Sequence, residues 1–224
     1  MKKIIWITAL VVCSTQAMAA SLTLNVHGII SPPACVADVE GGADLDWGVI
    51  HHTELGSNYT TLEAKPVTLS INCPADANTH VAFWVVDGVT EKAMSGTNTN
   101  GMTNHADINR DFSIGTDPNT SNPIGNYTLN PVEESIDGNP QTSFGFAGGG
   151  SHSTTSFLHV KMSQFAYDKI EDWTFWDDKK NMPAVGNSFK MKFNVEPQIN
   201  KISNLSVVNQ INWKGTAQFN IRYF

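Results

Sequence analysis

The stretch Gly215 to Phe224, GTAQFNIRYF, decides the fold class. Gly215, Ala217, Phe219, Ile221 and Tyr223 fall on one face of an extended chain. Thr216, Gln218, Asn220 and Arg222 fall on the other. Successive side chains of a strand point to opposite faces, so this period of two reads as a half-buried β-strand. The same period recurs upstream. Val67, Leu69, Ile71 and Cys73 share a face, and Phe189, Met191, Phe193 and Val195 share another. Leu45, Trp47 and Val49 alternate before Ile50, and Phe157, His159 and Lys161 alternate with Leu158, Val160 and Met162. His80 to Val86 is a more continuous apolar run, which predicts a strand covered on both sides. Further strands are expected at 112–114, 124–129 and 205–211.

Nine or ten short strands joined by polar, turn-rich loops predict an all-β sandwich of two antiparallel sheets. Composition agrees. Only 16% of the 224 residues are charged, against about 25% in an average globular domain. Loops are expected at 87–109, at 130–155 (with Gly148-Gly149-Gly150) and at 164–187, the last with a short helix around 167–173. No tandem repeat or interdomain linker is visible.

The N-terminus reads as a targeting segment. Lys2 and Lys3 precede an apolar run, Ile4 to Val12, and Ala17-Met18-Ala19 forms a small-residue cleavage site. The run is too short for the ~20 residues of a membrane span. Val12 is larger than the residue expected before a lipidated Cys13. Residues 1–19 are therefore expected to be a signal peptide, with 20–34 an N-terminal extension and 35–224 the folded domain. Removing two lysines takes the formal net charge from −7 to −9. That balance argues against nucleic acid and anionic membranes as partners, and no stable membrane insertion is expected. The mature chain keeps two cysteines, Cys35 and Cys73. In an oxidising compartment they are most simply one disulfide.

A sandwich that ends on so strong a strand is expected to lack the strand due after it. An apolar groove and an unpaired edge would then remain. Leu22, Leu24 and Val26 form a short alternating strand ahead of Gly28. They could be the first strand of their own sandwich, or a strand that fills a neighbour's groove by β-strand addition.

The order Leu24-Asn-Val26-His-Gly28, then Cys35, then Leu45-Asp-Trp47-Gly48-Val49, then Val67 to Cys73, ending on a penultimate Tyr223, resembles the chaperone–usher pilins. Within that group the chain is most similar to the fimbrial-associated proteins of the domain-of-unknown-function type. These carry an Ile-Gly-x-Tyr segment like Ile124-Gly125-Asn126-Tyr127. The resemblance implies an incomplete immunoglobulin-like (pilin-type) sandwich and an exported structural subunit of a fimbria. It implies a groove bordered by Gly215, Ala217, Phe219, Ile221, Tyr223 and Phe224, with basic chaperone residues holding the Phe224 carboxylate. Leu22, Leu24, Val26 and Gly28 would be the donor strand. A periplasmic chaperone, an outer-membrane usher and sibling subunits would be its partners, and surface adhesion through a host glycan or protein receptor its role.

No enzyme is expected. His51-His52 point to opposite faces and make a poor chelating pair. His152 and His159 lack cysteine partners at zinc spacing. Asp44 and Asp46 read as the polar face of a strand. Ser151, Ser153 and Ser156 lie outside any G-x-S-x-G elbow, and the glycine run lacks the Lys of a phosphate loop. No cofactor or metal is expected. The rival expectation is a self-contained secreted or periplasmic carbohydrate-binding module. It would use Trp173 and Trp176 as stacking platforms, their bland alternative being a cap on one end of the core.

Overall fold

The computed structural model describes residues 35–91, 93–94, 110–148, 152–162, 169–206 and 208–224. The chain divides into two compact units, Met1–Ser31 and Pro32–Phe224. The signal peptide and the strand expected at Leu22, Leu24, Val26 and Gly28 lie outside the described residues.

The second unit is an all-β sandwich of two antiparallel sheets. The first sheet runs β1 (Val36–Glu40), β3 (Lys65–Asn72), β12 (Ser188–Ile199), β6 (Gly125–Ile136) and β5 (Phe112–Ser113). Two short strands join it, β2 (Thr60–Thr61) on β12 and β7 (Asn139–Gln141) on β6. The second sheet runs β13 (Ala217–Tyr223), β4 (Val81–Asp87), β10 (Asp172–Asp177), β8 (Ser143–Ala147) and β9 (Leu158–Lys161), with β11 (Met182–Pro183) on β10.

The period-two faces meet between the sheets as expected. Leu69 and Ile71 of β3, with Phe189, Met191, Phe193 and Val195 of β12, are buried against Phe83 of β4 and Phe175 of β10. Phe83 is the centre. Its ring lies 5.9 Å from Phe175, 6.4 Å from Phe193 and 6.2 Å from Phe219, separations at which aromatic pairs attract beyond the area they bury. Cys35 and Cys73 form the disulfide, which ties the start of β1 to the end of β3.

Four expectations change. The first is the loop at 130–155, which instead contains the second half of β6, β7 and β8. The β6–β12 register shifts at Lys192/Phe193, opposite Glu133 and Pro131, so Val132 is an extra residue. Such a bulge moves the inward face by one position. Tyr127 and Leu129 point inward before it, Glu134 and Ile136 after it, and the period of two is lost to the eye. The second is the 164–187 segment. Asp172–Asp177 is a strand, with no helix over 169–173; residues 163–168 lie outside the described residues. The third is 205–211, whose described residues form no strand and follow a 3₁₀ turn at Ile202–Asn204. The fourth is Leu45 to Val49, which is no strand because no described residue pairs with it.

Glu134 is fully buried in β6. One carboxyl oxygen accepts the Trp176 backbone N–H at 2.7 Å, linking the two sheets, and the other has no hydrogen-bond partner among the described residues. Burial, helped by the negative charge of Asp178, pushes its pKa well above the ordinary carboxyl range. Below that range both folded and unfolded chains hold the proton and nothing changes. Above it the unfolded chain ionises while the fold keeps its proton, so stability falls as pH rises. Glu134→Gln is therefore expected to stabilise by about 1–3 kcal/mol at pH 8 and to make little difference at pH 4. Thermal unfolding of both proteins across that range checks it.

Candidate functional site: an open groove beside the last strand

β13 occupies the outer position of its sheet. All seven of its residues pair with β4, from Ala217↔Asp87 to Tyr223↔Val81. Its other edge carries no ladder partner among the described residues. The inward side chains of β4 (Val81, Phe83, Val85) are fully buried, whereas Ala217, Phe219, Ile221 and Tyr223 are only half-buried. Among the described residues no strand covers them on the side away from β4.

Beside that edge lies a groove of about 1390 Å³. Its floor is apolar and continuous with the core: Ile124, Tyr127 and Leu129 of β6 and its approach, and Val195 and Ile199 of β12. Phe219 forms part of its wall and also packs 5.7 Å from Phe193.

The opposite bank is the segment 43–50. Its apolar residues Leu45, Trp47 and Ile50 lean on the core, while Asp44, Asp46 and Gly48 face out. Residues 43–50 make no backbone–backbone hydrogen bond with any described residue. What holds this bank comes from side chains. Asp46 accepts the Gly48 N–H at 2.8 Å, Trp47 Nε1 donates to Glu63 O at 2.8 Å, and the Lys65 ammonium lies 5.1 Å over the Trp47 ring and donates to Asp46 O. The alternation read from the sequence is present; the ladder is not.

The groove thus has an apolar floor and two extended banks whose facing backbone groups have no partner among the described residues. An unmade backbone hydrogen bond removed from water is costly, and an open strand edge is a template for another strand. The arrangement accepts a strand between the banks.

Tyr127 sits where floor meets β13. Its hydroxyl is buried without a partner, its ring stacks on Phe112 at 5.2 Å, and Gly215 lies against its face. A Cβ at Gly215 would fall 2.4 Å from Tyr127 Cε1, so this close approach requires glycine. Burial, and secondarily the Asp87 charge, holds the Tyr127 phenol above its ordinary pKa.

The outer face of β13 is firmly tied. Arg222 Nε donates to Asp172 at 3.2 Å and Nη2 to Thr154 O, and the guanidinium lies 4.9 Å from the Phe224 ring. Asp172 also pairs with His152, whose ring stacks on Trp84 at 4.3 Å. Phe224 exchanges backbone hydrogen bonds with His80. The strand is fixed to its sheet, and among the described residues only its groove side lacks a ladder partner.

Of the residues expected to border a groove, Gly215, Ala217 and Phe219 line this one and Ala217 to Tyr223 form β13, whereas Trp47, Tyr127 and Trp213 were not among those expected there. The Leu45-Trp47-Val49 alternation was the available signal. The cluster of His152, Asp172 and Arg222 has none, since 70 residues separate its ends.

Trp173 and Trp176 belong to a strand, not a loop. Trp173 packs 4.3 Å from Phe144 between the sheets. Trp176 is buried beneath His159, whose ring lies 5.3 Å away. Neither offers an open ring face for a sugar. His51 and His52 are exposed at a 3₁₀ turn, and Asp44 and Asp46 are exposed on the bank. Among the described residues no group of His, Cys, Asp and Glu is arranged to hold a metal ion.

No curated protein matches the chain. Over residues 24–133, which include the bank at 43–50 and the floor as far as Leu129, the chain is similar to a family described as Protein of unknown function (DUF1120).

Proposed function

We propose that this protein is an exported, non-enzymatic structural subunit of a surface fimbria, assembled by strand complementation. The groove between residues 43–50 and β13 is the observation that carries the reading. In the proposed assembly, the segment holding Leu22, Leu24 and Val26 of a sibling subunit lies along β13. Main-chain ladder bonds to the free edge supply affinity, and alternate side chains entering the apolar floor set register. A periplasmic chaperone occupies the groove until an outer-membrane usher exchanges it for the sibling's strand. Surface adhesion is the role of the assembled fibre.

The disposition of Trp173 and Trp176 leaves the carbohydrate-module reading without its stacking platform.

The test uses the full chain. Purified protein is expected to form oligomers that persist in detergent at room temperature and collapse on heating. Leu24→Asp, which would place a charge in the apolar floor, is expected to reduce them roughly tenfold or more. A chain that stays monomeric at high concentration, or oligomers indifferent to Leu24→Asp, would contradict the reading.

A further inference from the structure

One contact bridges the groove. The Trp47 ring on one bank meets the Trp213 ring at 5.9 Å, with the planes at 42°. Trp213 belongs to the strap 208–216 that leads into β13, and both tryptophans line the groove. A strand lies about 4.8 Å from each neighbour, so a strand between two banks holds them roughly 9.6 Å apart. Two rings in contact across that gap occupy space which the entering chain must cross.

The two halves of the contact differ in how they are held. Trp47 is anchored by its hydrogen bond to Glu63 O and by the Lys65 ammonium above it. Trp213 makes no hydrogen bond among the described residues. Its neighbour Lys214 donates to Ile114 O at 3.4 Å, and Gly215 is seated on Tyr127. Trp213 is therefore the half free to swing while Gly215 stays in place.

We infer that Trp47 and Trp213 form an aromatic latch across the groove, closed in the free subunit, which must part before a strand can seat. This inference rests on the proposed strand-accepting role of the groove. The closed latch covers part of the apolar floor and protects the open edge from indiscriminate pairing. It also taxes binding, because only the open fraction of molecules accepts a strand. An aromatic pair of ordinary strength sets that tax at roughly five-fold.

The experiment is stopped-flow anisotropy of a fluorescein-labelled peptide of residues 20–30 mixed with the full chain carrying Leu24→Asp, the background that leaves the groove unfilled by siblings and that serves as wild type in the comparison. Wild type, Trp213→Ala and Trp213→Phe are compared, each first shown to be folded by its melting transition. Trp213→Ala is expected to associate roughly five-fold faster than wild type. Trp213→Phe, which keeps a ring against Trp47, should stay close to wild type. Equal or slower association by Trp213→Ala overturns the latch and leaves the groove reading intact. Failure of the peptide to bind any of the three proteins overturns the groove reading and the latch with it. Should Trp213→Ala not fold, Lys65→Met serves instead, since it frees the anchored half; unchanged association there also overturns the latch.

Discussion

Replacing Cys35 and Cys73 with serine is expected to lower stability by about 3–4 kcal/mol, read by urea unfolding. The bridge closes a loop of sequence separation 38, and closing so long a loop mainly restricts the unfolded chain. The fold gives a second reason. β1 is an outer strand, and Val36, Ala37, Asp38 and Glu40 are all exposed. Its ladder to β3 and its covalent tie are what fix it, because little apolar area does. Cys35 O also lies 3.5 Å from the Tyr223 hydroxyl, so the tie sits at the far end of the groove strand. Loss of the disulfide should therefore weaken strand binding as well as the fold. A loss under about 1 kcal/mol would show that β1 is held by something else.

Gly125→Ala is expected to cost about 3 kcal/mol or more, near the upper end for an overpacked core. A Cβ there would lie 2.2 Å from the Gln198 carbonyl oxygen and 2.8 Å from Ile114 Cδ1. The first obstacle is backbone of β12, which at Gln198 lies between β2 and β6 and cannot retreat without disturbing both ladders. Displacing β6 instead would shift Tyr127, two residues on, and with it the groove floor. Gly148→Ala is the matched control: nothing lies within 4 Å of its Cβ position, and a change within about 0.5 kcal/mol is expected. Comparable melting of the two variants would contradict the close approach of β6 to β12.

Much of this fold is legible in the residues. Period-two faces at Val67 to Cys73, Phe189 to Val195 and Gly215 to Phe224 became strands with those faces inward, because burial of one face fixes strand register. Where the reading failed, the physics was tertiary. Pro131 and the bulge at Val132 shift the inward phase of β6, so a twelve-residue central strand looks like two unrelated fragments. Asp172, Asp177 and Asp178 give the β10 region the look of a solvated loop. Yet Asp172 is buried in its pair with Arg222 and His152, and Asp178 accepts from the backbone and side chain of Thr142.

The candidate site was half legible for the same reason. β13 announces itself by alternation, as does Leu45 to Val49. That the second of these has no ladder, and faces the free edge of the first, follows only from where the chain between them goes. Alternation reports a face to be buried; it says nothing of whether the partner edge is supplied.

The free edge of β13 is expected to take a strand. Thermal unfolding of the disulfide-intact chain lacking residues 20–30, alone and with a peptide of residues 20–30, tests it most directly. A ligand present at a thousand times its Kd stabilises by about 4 kcal/mol, so the melting point is expected to rise by several degrees with peptide concentration. A scrambled peptide of the same composition should have no effect. A high melting point that ignores the native peptide would mean the sandwich is already complete and would contradict the account.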